Sequence, residues 1–202
     1  EDIKDSIVEL LTLTMQELVI GPPNNFETDV PTVIDENAKN NLLAYRDAMQ
    51  ANNKLLFEST LPQELIGHYV APCLFNITTL SELQDEQFGP FLHVMTYRHE
   101  SLHKLIEDIN ELGYGLTLGI HSRIDETIRY ITDNVNVGNI YVNRNMIGAV
   151  VGSQPFGGEG LSGTGPKAGG PYYLQRFCAE KTVSANTSAI GGNAQLLNLN
   201  DS

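Results

Sequence analysis

An acidic and an aromatic residue stand two positions apart in the short segment 85–91, just before an apolar run. Glu86 supplies a carboxylate, Phe88 supplies a flat apolar ring, and Gly89 with Pro90 forms a tight end to the segment. A carboxylate accepts hydrogen bonds from sugar hydroxyls, and an aromatic ring packs on the base attached to the sugar. The pattern predicts a ribose-binding turn. A solvated acid beside a core phenylalanine is the alternative that the residues alone leave open.

A glycine-rich segment forms the second grouping, since ten of the 18 glycines lie between Gly138 and Gly170. The backbone N–H groups of Gly148 and Ala149 carry no bulky side chains, so they can form a nest that binds an anion. Phe156, further along the same segment, can form a wall of that pocket. The pattern predicts a carboxylate-binding site, and a purely structural loop is the alternative that stays open.

A formal G-x-G-x-x-G pattern at residues 158–163 does not predict a dinucleotide site. It does not follow a clean strand, and Glu159 would place a negative charge beside the pyrophosphate. Pro166 breaks the helix whose N-terminus would bind the phosphate. We therefore reject phosphate binding here.

The cysteines and histidines give weaker signals. Cys73 lies in an apolar run without a neighbouring base, and Cys178 has only a slightly electropositive setting, so both are interpreted as structural. His99 and His103 can share one helix face, but no third ligand is placed to complete a metal site. The other three of the five histidines lie near predicted strand ends and are given no role.

Strands and helices alternate in the half of the chain that must position these segments. Apolar runs predict strands at residues 69–75, 92–97, 116–120 and 140–142, and amphipathic periodicity predicts helices at 102–112 and 124–135. This alternation favours an α/β fold, a mostly parallel sheet with helices on both faces. Pro72 predicts that the first strand is irregular or at an edge. Ser122, with Asp125 and Glu126, predicts a capping box for the second helix.

The first fifty residues predict two amphipathic helices. One runs from Ile3 to Leu18 and is stopped by the Gly-Pro-Pro at 21–23; the other begins at Asp35. Each is expected to bury one apolar stripe. Near the other end, Ala168 to Phe177 predicts a short helix, and 180–187 predicts an extended polar segment.

Composition excludes several function classes. The 202 residues carry a net charge of -13, which argues against nucleic acid or an anionic membrane as a partner. No apolar run approaches the roughly 20 residues of a membrane span. Two cysteines are too few for a disulfide framework, so a reducing cytoplasm is expected. The chain begins at Glu1, and we expect it to be an internal piece of a longer polypeptide.

Several segments resemble the aldehyde dehydrogenase family. Glu-Gln-Phe-Gly-Pro at 86–90 is similar to the cofactor-side motif of that family. Gly-Asn-Ile-Tyr-Val-Asn-Arg at 138–144 and Gln-Pro-Phe-Gly-Gly-Glu-Gly-Leu-Ser-Gly-Thr-Gly at 154–165 resemble its 1-pyrroline-5-carboxylate dehydrogenase branch. Gly-Gly-Pro-Tyr at 169–172 and the tail from 180 are similar to the C-terminal region of bifunctional proline utilization A. The resemblance covers essentially all 202 residues.

This resemblance implies NAD-dependent oxidation of L-glutamate γ-semialdehyde, the hydrolysed form of pyrroline-5-carboxylate, to L-glutamate in proline catabolism. In this family a cysteine thiolate attacks the aldehyde, hydride passes to NAD, and an activated water releases the acid. By resemblance, Glu86 binds the nicotinamide ribose and Phe88 packs near the nicotinamide. Gly148 and Ala149 hold the α-carboxylate of the substrate, and Phe156 lines the aldehyde pocket.

The resemblance implies that three parts of the family's enzyme are absent from this chain. The nucleophilic Cys is expected shortly before residue 1, and the water-activating Glu and the Rossmann domain are expected further upstream. Neither Cys73 nor Cys178 stands at the nucleophile position. We therefore expect no catalytic residue in this chain and no dehydrogenase activity from the chain alone. The alternatives are a non-catalytic binding or assembly module of the same fold and an enzyme for another carboxylated semialdehyde.

The resemblance also implies an organisation and partners. It divides the chain into a partial catalytic domain at 1–179 and a C-terminal oligomerisation strand and tail at 180–202. The expected partners are the N-terminal part of the same polypeptide and further copies in a homo-oligomer. FAD is expected as a second cofactor only if a proline dehydrogenase domain lies upstream.

Overall fold

The computed structural model describes residues 2–83, 85–150 and 152–186. Four helices, α1 to α4, and seven strands, β1 to β7, follow one another along this part of the chain. Their order is α1 Lys4–Gln16, α2 Glu36–Ala51, β1 Leu55–Glu58, β2 Cys73–Asn76, β3 Phe91–Val94, α3 Leu102–Glu111, β4 Tyr114–Gly115, β5 Thr117–Ile120, α4 Asp125–Asn134, β6 Asn139–Val142 and β7 Glu159–Gly160. Short 3-10 helices occupy Leu80–Glu82, His99–Ser101 and Tyr173–Phe177.

Helix α2 lies where its periodicity predicts it, whereas α1 ends at Gln16, before the predicted end at Leu18 and before the Gly-Pro-Pro at 21–23 that was expected to stop it. Asp35 caps α2, because its Oδ1 accepts a hydrogen bond from the Ala38 backbone N–H at 2.7 Å. The expected burial of an apolar stripe fails for α1, in which Met15 is buried but Ile3 and Leu10 are 68% and 61% exposed. These side chains remain largely exposed in the described part of the chain, so amphipathicity alone overestimates the burial of α1.

A three-stranded sheet with the order β1-β2-β3 forms one core of the chain. β2 and β3 are parallel, whereas β1 is antiparallel to β2. Leu74 and Phe75 are completely buried in the central strand β2, and Tyr45 of α2 packs edge-on against Phe75. Of the two alternatives predicted for this strand, the edge position is wrong, whereas an irregularity is present, because the register of the β1–β2 pairing shifts between Leu55 and Phe57. β2 begins directly after Pro72, so the missing proline N–H lies outside the ladder.

The predicted alternation of strand, helix and strand is confirmed in the second half. β5 and β6 pair in parallel from Thr117 opposite Asn139 to Ile120 opposite Val142, with α4 as their crossover. A core of Leu102, Ile106 and Val135 lies between α3, α4 and these strands. These parallel pairs with packed helices are the α/β architecture that the sequence predicts.

The predicted capping box of α4 is wrong in its details. Ile124 occupies the N-cap and gives no side-chain cap, while Ser122, two residues before it, accepts from the Ile124 N–H through its Oγ at 3.1 Å. Asp125 and Glu126 do lie in the first helical turn, where the helix dipole favours carboxylates.

The glycine-rich segment closes back onto the body of the chain through two short contacts. β7 pairs antiparallel with β4, with Gly160 opposite Tyr114. Phe156 and Ala168 form an isolated antiparallel bridge. The predicted helix from Ala168 is shorter than expected, since only the 3-10 helix Tyr173–Phe177 forms.

The final segment carries neither helix nor strand at residues 180–186. The rest of the predicted C-terminal strand and tail, 187–202, lies outside the described residues. Within the described part of the chain, no helix is both long and apolar enough to span a bilayer.

Candidate functional site

The glycine-rich loop starts from a fixed point at the carboxyl end of β6. Asn143, in the left-handed conformation with φ of 53°, makes the turn out of the strand. Its side-chain Oδ1 accepts from the Ser122 N–H at 3.0 Å, and its Nδ2 donates to the Ser122 carbonyl at 2.9 Å. The loop is thereby tied to the segment that follows β5, at the edge of the sheet where ligands bind in α/β folds.

One cavity brings the three predicted substrate residues together. Gly148, Ala149 and Phe156 line a pocket of about 220 Å³, together with Gln154, Ala168 and Gly169. Sequence reasoning missed the last three. The high glycine content around residues 168 and 169 could have indicated Ala168 and Gly169, whereas nothing in the sequence singles out Gln154.

The backbone at the base of this pocket has free donors. Gly148 has φ of 70°, a conformation that favours glycine, and a Cβ built there would meet no atom within 4 Å. Neither the Gly148 nor the Ala149 N–H donates to another group in the described part of the chain. Successive unpaired N–H groups beside a glycine form an anion-binding concavity. The geometry thus fits a carboxylate ligand.

Hydrogen bonds hold the other wall of the pocket. The Phe156 N–H donates to the Ala168 carbonyl at 2.9 Å, and the Ala168 N–H donates to the Phe156 carbonyl at 2.8 Å. The ammonium group of Lys167 contacts the Gly138 carbonyl at the start of β6. Gln154 Oε1 accepts from the Val150 N–H at 3.1 Å and so links the two sides of the loop next to Ala149.

The acidic turn precedes β3 and borders a second pocket. Glu86 is exposed and helps to line a cavity of about 230 Å³, whereas Phe88 is 79% exposed and lies outside that lining. The lining residues are Leu83, Asp85, Glu86, Gln87, Phe91, His93, Leu112 and Tyr114. The turn is anchored because the Cys73 N–H donates to the Pro90 carbonyl at 3.0 Å. An exposed carboxylate and an exposed ring beside a cavity can receive a sugar and a flat heterocycle.

His93, which the sequence left without a role, lies in the wall of this second pocket. Its Nε2 is 2.8 Å from the Tyr45 hydroxyl, and its ring stacks on Phe75 at 5.3 Å. Burial lowers the pKa of His93 from its ordinary value. Burial also raises the pKa of Tyr45, with a smaller contribution from the Glu82 carboxylate. Both shifts favour a neutral pair beneath the acidic turn.

The two pockets share no lining residue. The two-stranded β4–β7 sheet connects them. Tyr114 in β4 lines the acidic-turn pocket and pairs with Gly160 in β7, which is four residues after Phe156 in the chain. Neither Glu86 nor Ala149 is sealed in the interior.

The two cysteines lie in different surroundings. Burial, with a smaller contribution from Glu58, raises the pKa of the Cys73 thiol to about 12, although Arg46 opposes the shift. Cys73 therefore lies in β2 as an inert thiol. Cys178 is exposed, and its thiol contacts the Leu174 carbonyl at 3.5 Å. Residues 2–83, 85–150 and 152–186 contain no group of three or more His, Cys, Asp or Glu that could hold a metal ion.

Comparisons with known proteins agree with the motifs. A profile of the aldehyde dehydrogenase family matches residues 1–183. Bifunctional protein PutA of Escherichia coli strain K12 is 48% identical over 191 residues, which cover 92% of this chain and 14% of that protein. The 1-pyrroline-5-carboxylate dehydrogenase of Bacillus subtilis is 33% identical over 186 residues, covering 91% of this chain and 36% of that protein.

Solved structures give the same relationship. A crystal structure of a Bradyrhizobium japonicum proline utilization A variant matches with a TM-score of 0.85 and 53% identity, over 94% of this chain and 19% of that one. A 1-pyrroline-5-carboxylate dehydrogenase from Thermus, with bound NAD, matches with a TM-score of 0.75 and 31% identity, over 87% of this chain and 34% of that one.

The chain thus spans about a third or less of the length of these relatives. Their fold confirms the α/β class predicted from the alternating strands and helices. Because the family profile covers nearly all of it, the chain belongs to the aldehyde dehydrogenase family.

Proposed function

We propose that this chain forms part of an NAD-dependent dehydrogenase that oxidises L-glutamate γ-semialdehyde to L-glutamate in proline catabolism. The observation that carries the proposal is the pocket in which the N–H donors of Gly148 and Ala149 have no partner among the described residues and Phe156 forms a wall. The similarity to PutA and to 1-pyrroline-5-carboxylate dehydrogenases supports the substrate class.

The two backbone donors bind the α-carboxylate of the substrate. An aldehyde that lacks this carboxylate leaves both donors unpaired in the bound complex, which costs about 1–3 kcal/mol for each buried group. Selectivity for a carboxylated aldehyde follows from this difference. Phe156 packs on the apolar part of the same substrate and excludes water from it.

The acidic turn binds the cofactor. Glu86 accepts hydrogen bonds from the nicotinamide ribose, and the exposed Phe88 ring packs beside the nicotinamide. The residues fit the group, since the carboxylate is accessible and the ring presents a free face. NAD, when bound, accepts the hydride from the substrate carbon. The relative from Thermus was solved with NAD bound.

The nucleophilic cysteine and the water-activating glutamate belong to other parts of the complete enzyme. Within this chain Cys73 is buried with a raised pKa, and Cys178 follows the 3-10 helix near the C-terminal end. We therefore propose that the chain by itself produces no NADH. NADH formation from glutamate semialdehyde by the purified chain would contradict this statement.

The organisation of the whole protein is proposed by the same reasoning. Residues 1–179 form part of the catalytic domain, and 180–202 contribute to contacts in a homo-oligomer. The exposed residues 180–185, which carry neither helix nor strand, are accessible for such a contact. Two free thiols favour a cytoplasmic location, and FAD enters only if a proline dehydrogenase domain precedes this segment.

Steady-state kinetics on the complete polypeptide that carries this segment test the proposal. We expect NADH formation from L-glutamate γ-semialdehyde, with a kcat/KM at least about tenfold above that for an uncharged aldehyde of similar length. Equal kcat/KM values would remove the carboxylate-binding role. Activity on another carboxylated semialdehyde alone would favour a different substrate, and no NADH from any aldehyde would favour a binding or assembly module.

A further inference from the structure

Strand β6 directs two buried polar side chains toward one face of the sheet. Asn139 is 9% exposed and Tyr141 is 6% exposed, and they are two residues apart in the strand. Side chains at alternate positions of a strand point to the same face. Ile140, between them, packs instead with the core formed by α3 and α4. A buried amide and a buried phenol need partners, and both find them in the glycine-rich loop.

The carboxamide of Asn139 holds the backbone on both sides of Phe156. Its Nδ2 donates to the Pro155 carbonyl at 3.0 Å, and its Oδ1 accepts from the Gly157 N–H at 3.1 Å. The N–H and carbonyl of Phe156 itself are paired with Ala168. Four hydrogen bonds therefore fix the three residues that carry the aromatic wall, and two of them come from one side chain.

Tyr141 reaches the opposite wall of the same pocket. Its hydroxyl donates a long hydrogen bond of 3.4 Å to the Gly148 carbonyl, next to the donors proposed for the carboxylate. The Arg144 guanidinium lies over the Tyr141 ring at 5.0 Å from its centroid, which restrains the ring. One short strand thus contacts both walls of the pocket.

We propose that Asn139 and Tyr141 are positioning residues that set the separation between the Gly148–Ala149 donors and the Phe156 wall, and with it the chain length of the carboxylated aldehyde that reacts. Strand β6 can hold both walls in fixed positions, because it pairs in parallel with β5 along its whole length. Loss of either contact lets one wall move relative to the other. This inference rests on the proposed function.

The decisive variant is Asn139→Asp in the complete polypeptide. It keeps the shape of the side chain but replaces the donor to Pro155 with an oxygen that repels the carbonyl. The matched control is Asn110→Asp. Asn110 also holds backbone with both ends of its amide, donating to the Asn134 carbonyl at 2.9 Å and accepting from the Asn136 N–H at 2.8 Å, outside the pocket lining.

The measurement is kcat/KM for a series of carboxylated semialdehydes with backbones shorter and longer than glutamate semialdehyde. The ratio between two chain lengths within one variant does not depend on how much of the enzyme is folded. We expect Asn139→Asp to reduce the preference for glutamate semialdehyde by about tenfold, the effect of losing one hydrogen-bonding contact, and Asn110→Asp to leave the ratio within about twofold.

A second variant, Tyr141→Phe, keeps the ring and removes only the hydroxyl. We expect the same change of preference at a smaller size, about threefold, because the hydrogen bond that it removes is long. An unchanged chain-length preference in both variants, with the wild type active, would overturn the inference and leave the proposed function intact. A wild type that forms no NADH from glutamate semialdehyde would remove the proposed function, and this inference with it.

Discussion

Gly148 and Phe156 line the same cavity, although one supplies backbone and the other an aromatic ring. The first lies in the left-handed conformation, where its N–H is unpaired within the described part of the chain. The second is held in place through its backbone bonds to Ala168. Backbone donors and an apolar ring thus lie in a single loop, the combination that the proposed substrate, an amino acid that carries an aldehyde, requires.

Gly148→Ala tests the donor role of this backbone. An alanine at φ of 70° is strained by about 1–2 kcal/mol, and relaxation of that strain turns the N–H groups away from the pocket. In the complete polypeptide we expect KM for glutamate semialdehyde to rise about tenfold, and KM for an uncharged aldehyde to change little. Gly152→Ala is the control, since Gly152 has φ of 84° and equally open space but does not line the cavity. If both variants raise KM for glutamate semialdehyde equally, backbone strain alone explains the effect, and the donor role of Gly148 is contradicted.

Glu86→Gln tests the acidic turn. The side chain is exposed, so we expect little change in the free energy of unfolding. We expect a rise of about tenfold in KM for NAD, because the proposed charged acceptor of the ribose hydroxyls is lost. Asp85→Asn is the matched control, as Asp85 lines the same pocket. If both variants raise KM for NAD to the same extent, the negative charge of the turn is responsible, and a specific contact between Glu86 and the ribose is refuted.

The buried histidine predicts a pH dependence of stability. His93 has a lowered pKa in the folded chain, so the unfolded chain binds the extra proton more readily. Its contribution to stability is present above about pH 6.5, the ordinary histidine value, and is lost as the pH falls through the lower folded pKa. Tyr45 is its hydrogen-bond partner, and Asp85 and Glu86 border the same pocket.

Chemical denaturation of the complete polypeptide between pH 5 and pH 8 measures this effect, with pH values chosen around the ordinary histidine pKa of about 6.5. We expect the His93→Gln variant to lose part of the decline at low pH that the wild type shows. Tyr45→Phe removes the 2.8 Å hydrogen bond and leaves the His93 nitrogen unpaired, at a cost of about 1–3 kcal/mol. If the stability of the His93→Gln variant declines at low pH as much as that of the wild type, other titratable groups cause the decline.

The two thiols predict selective alkylation. Cys73 is 1% exposed with a pKa of about 12, whereas Cys178 is exposed. We expect iodoacetamide to modify Cys178 in the folded protein and Cys73 only after denaturation, as peptide mapping by mass spectrometry can show. Rapid modification of Cys73 in the folded protein would mean that β2 opens readily or is not buried.

Periodicity in the sequence predicted the half of the fold in which contacts are local. The β5-α4-β6 unit follows from apolar runs and one amphipathic helix, and the start of α2 was predicted at Asp35, which the structure shows as its N-cap. β1 was missed because Leu55–Glu58 follows α2 without a glycine or proline signal. The central position of β2 depends on pairing with β1 and β3, which no local pattern encodes.

The candidate site divides in the same way. Residue type and context predicted Gly148, Ala149 and Phe156, which the structure brings into one pocket. Asn139 was not predicted, because its role depends on where the backbone of Pro155 and Gly157 returns to the strand. The sequence gives no role to His93 for a similar reason, since its partner Tyr45 is 48 residues away along the chain.

A crystal structure of the complete polypeptide with L-glutamate bound tests the central claim most directly. Glutamate is the product of the proposed reaction and carries the same α-carboxylate. We predict its carboxylate oxygens at about 2.7–3.2 Å from the backbone nitrogens of Gly148 and Ala149, with the side chain beside Phe156. Glutamate bound with its α-carboxylate elsewhere, and with those two N–H groups left unpaired, would contradict the account.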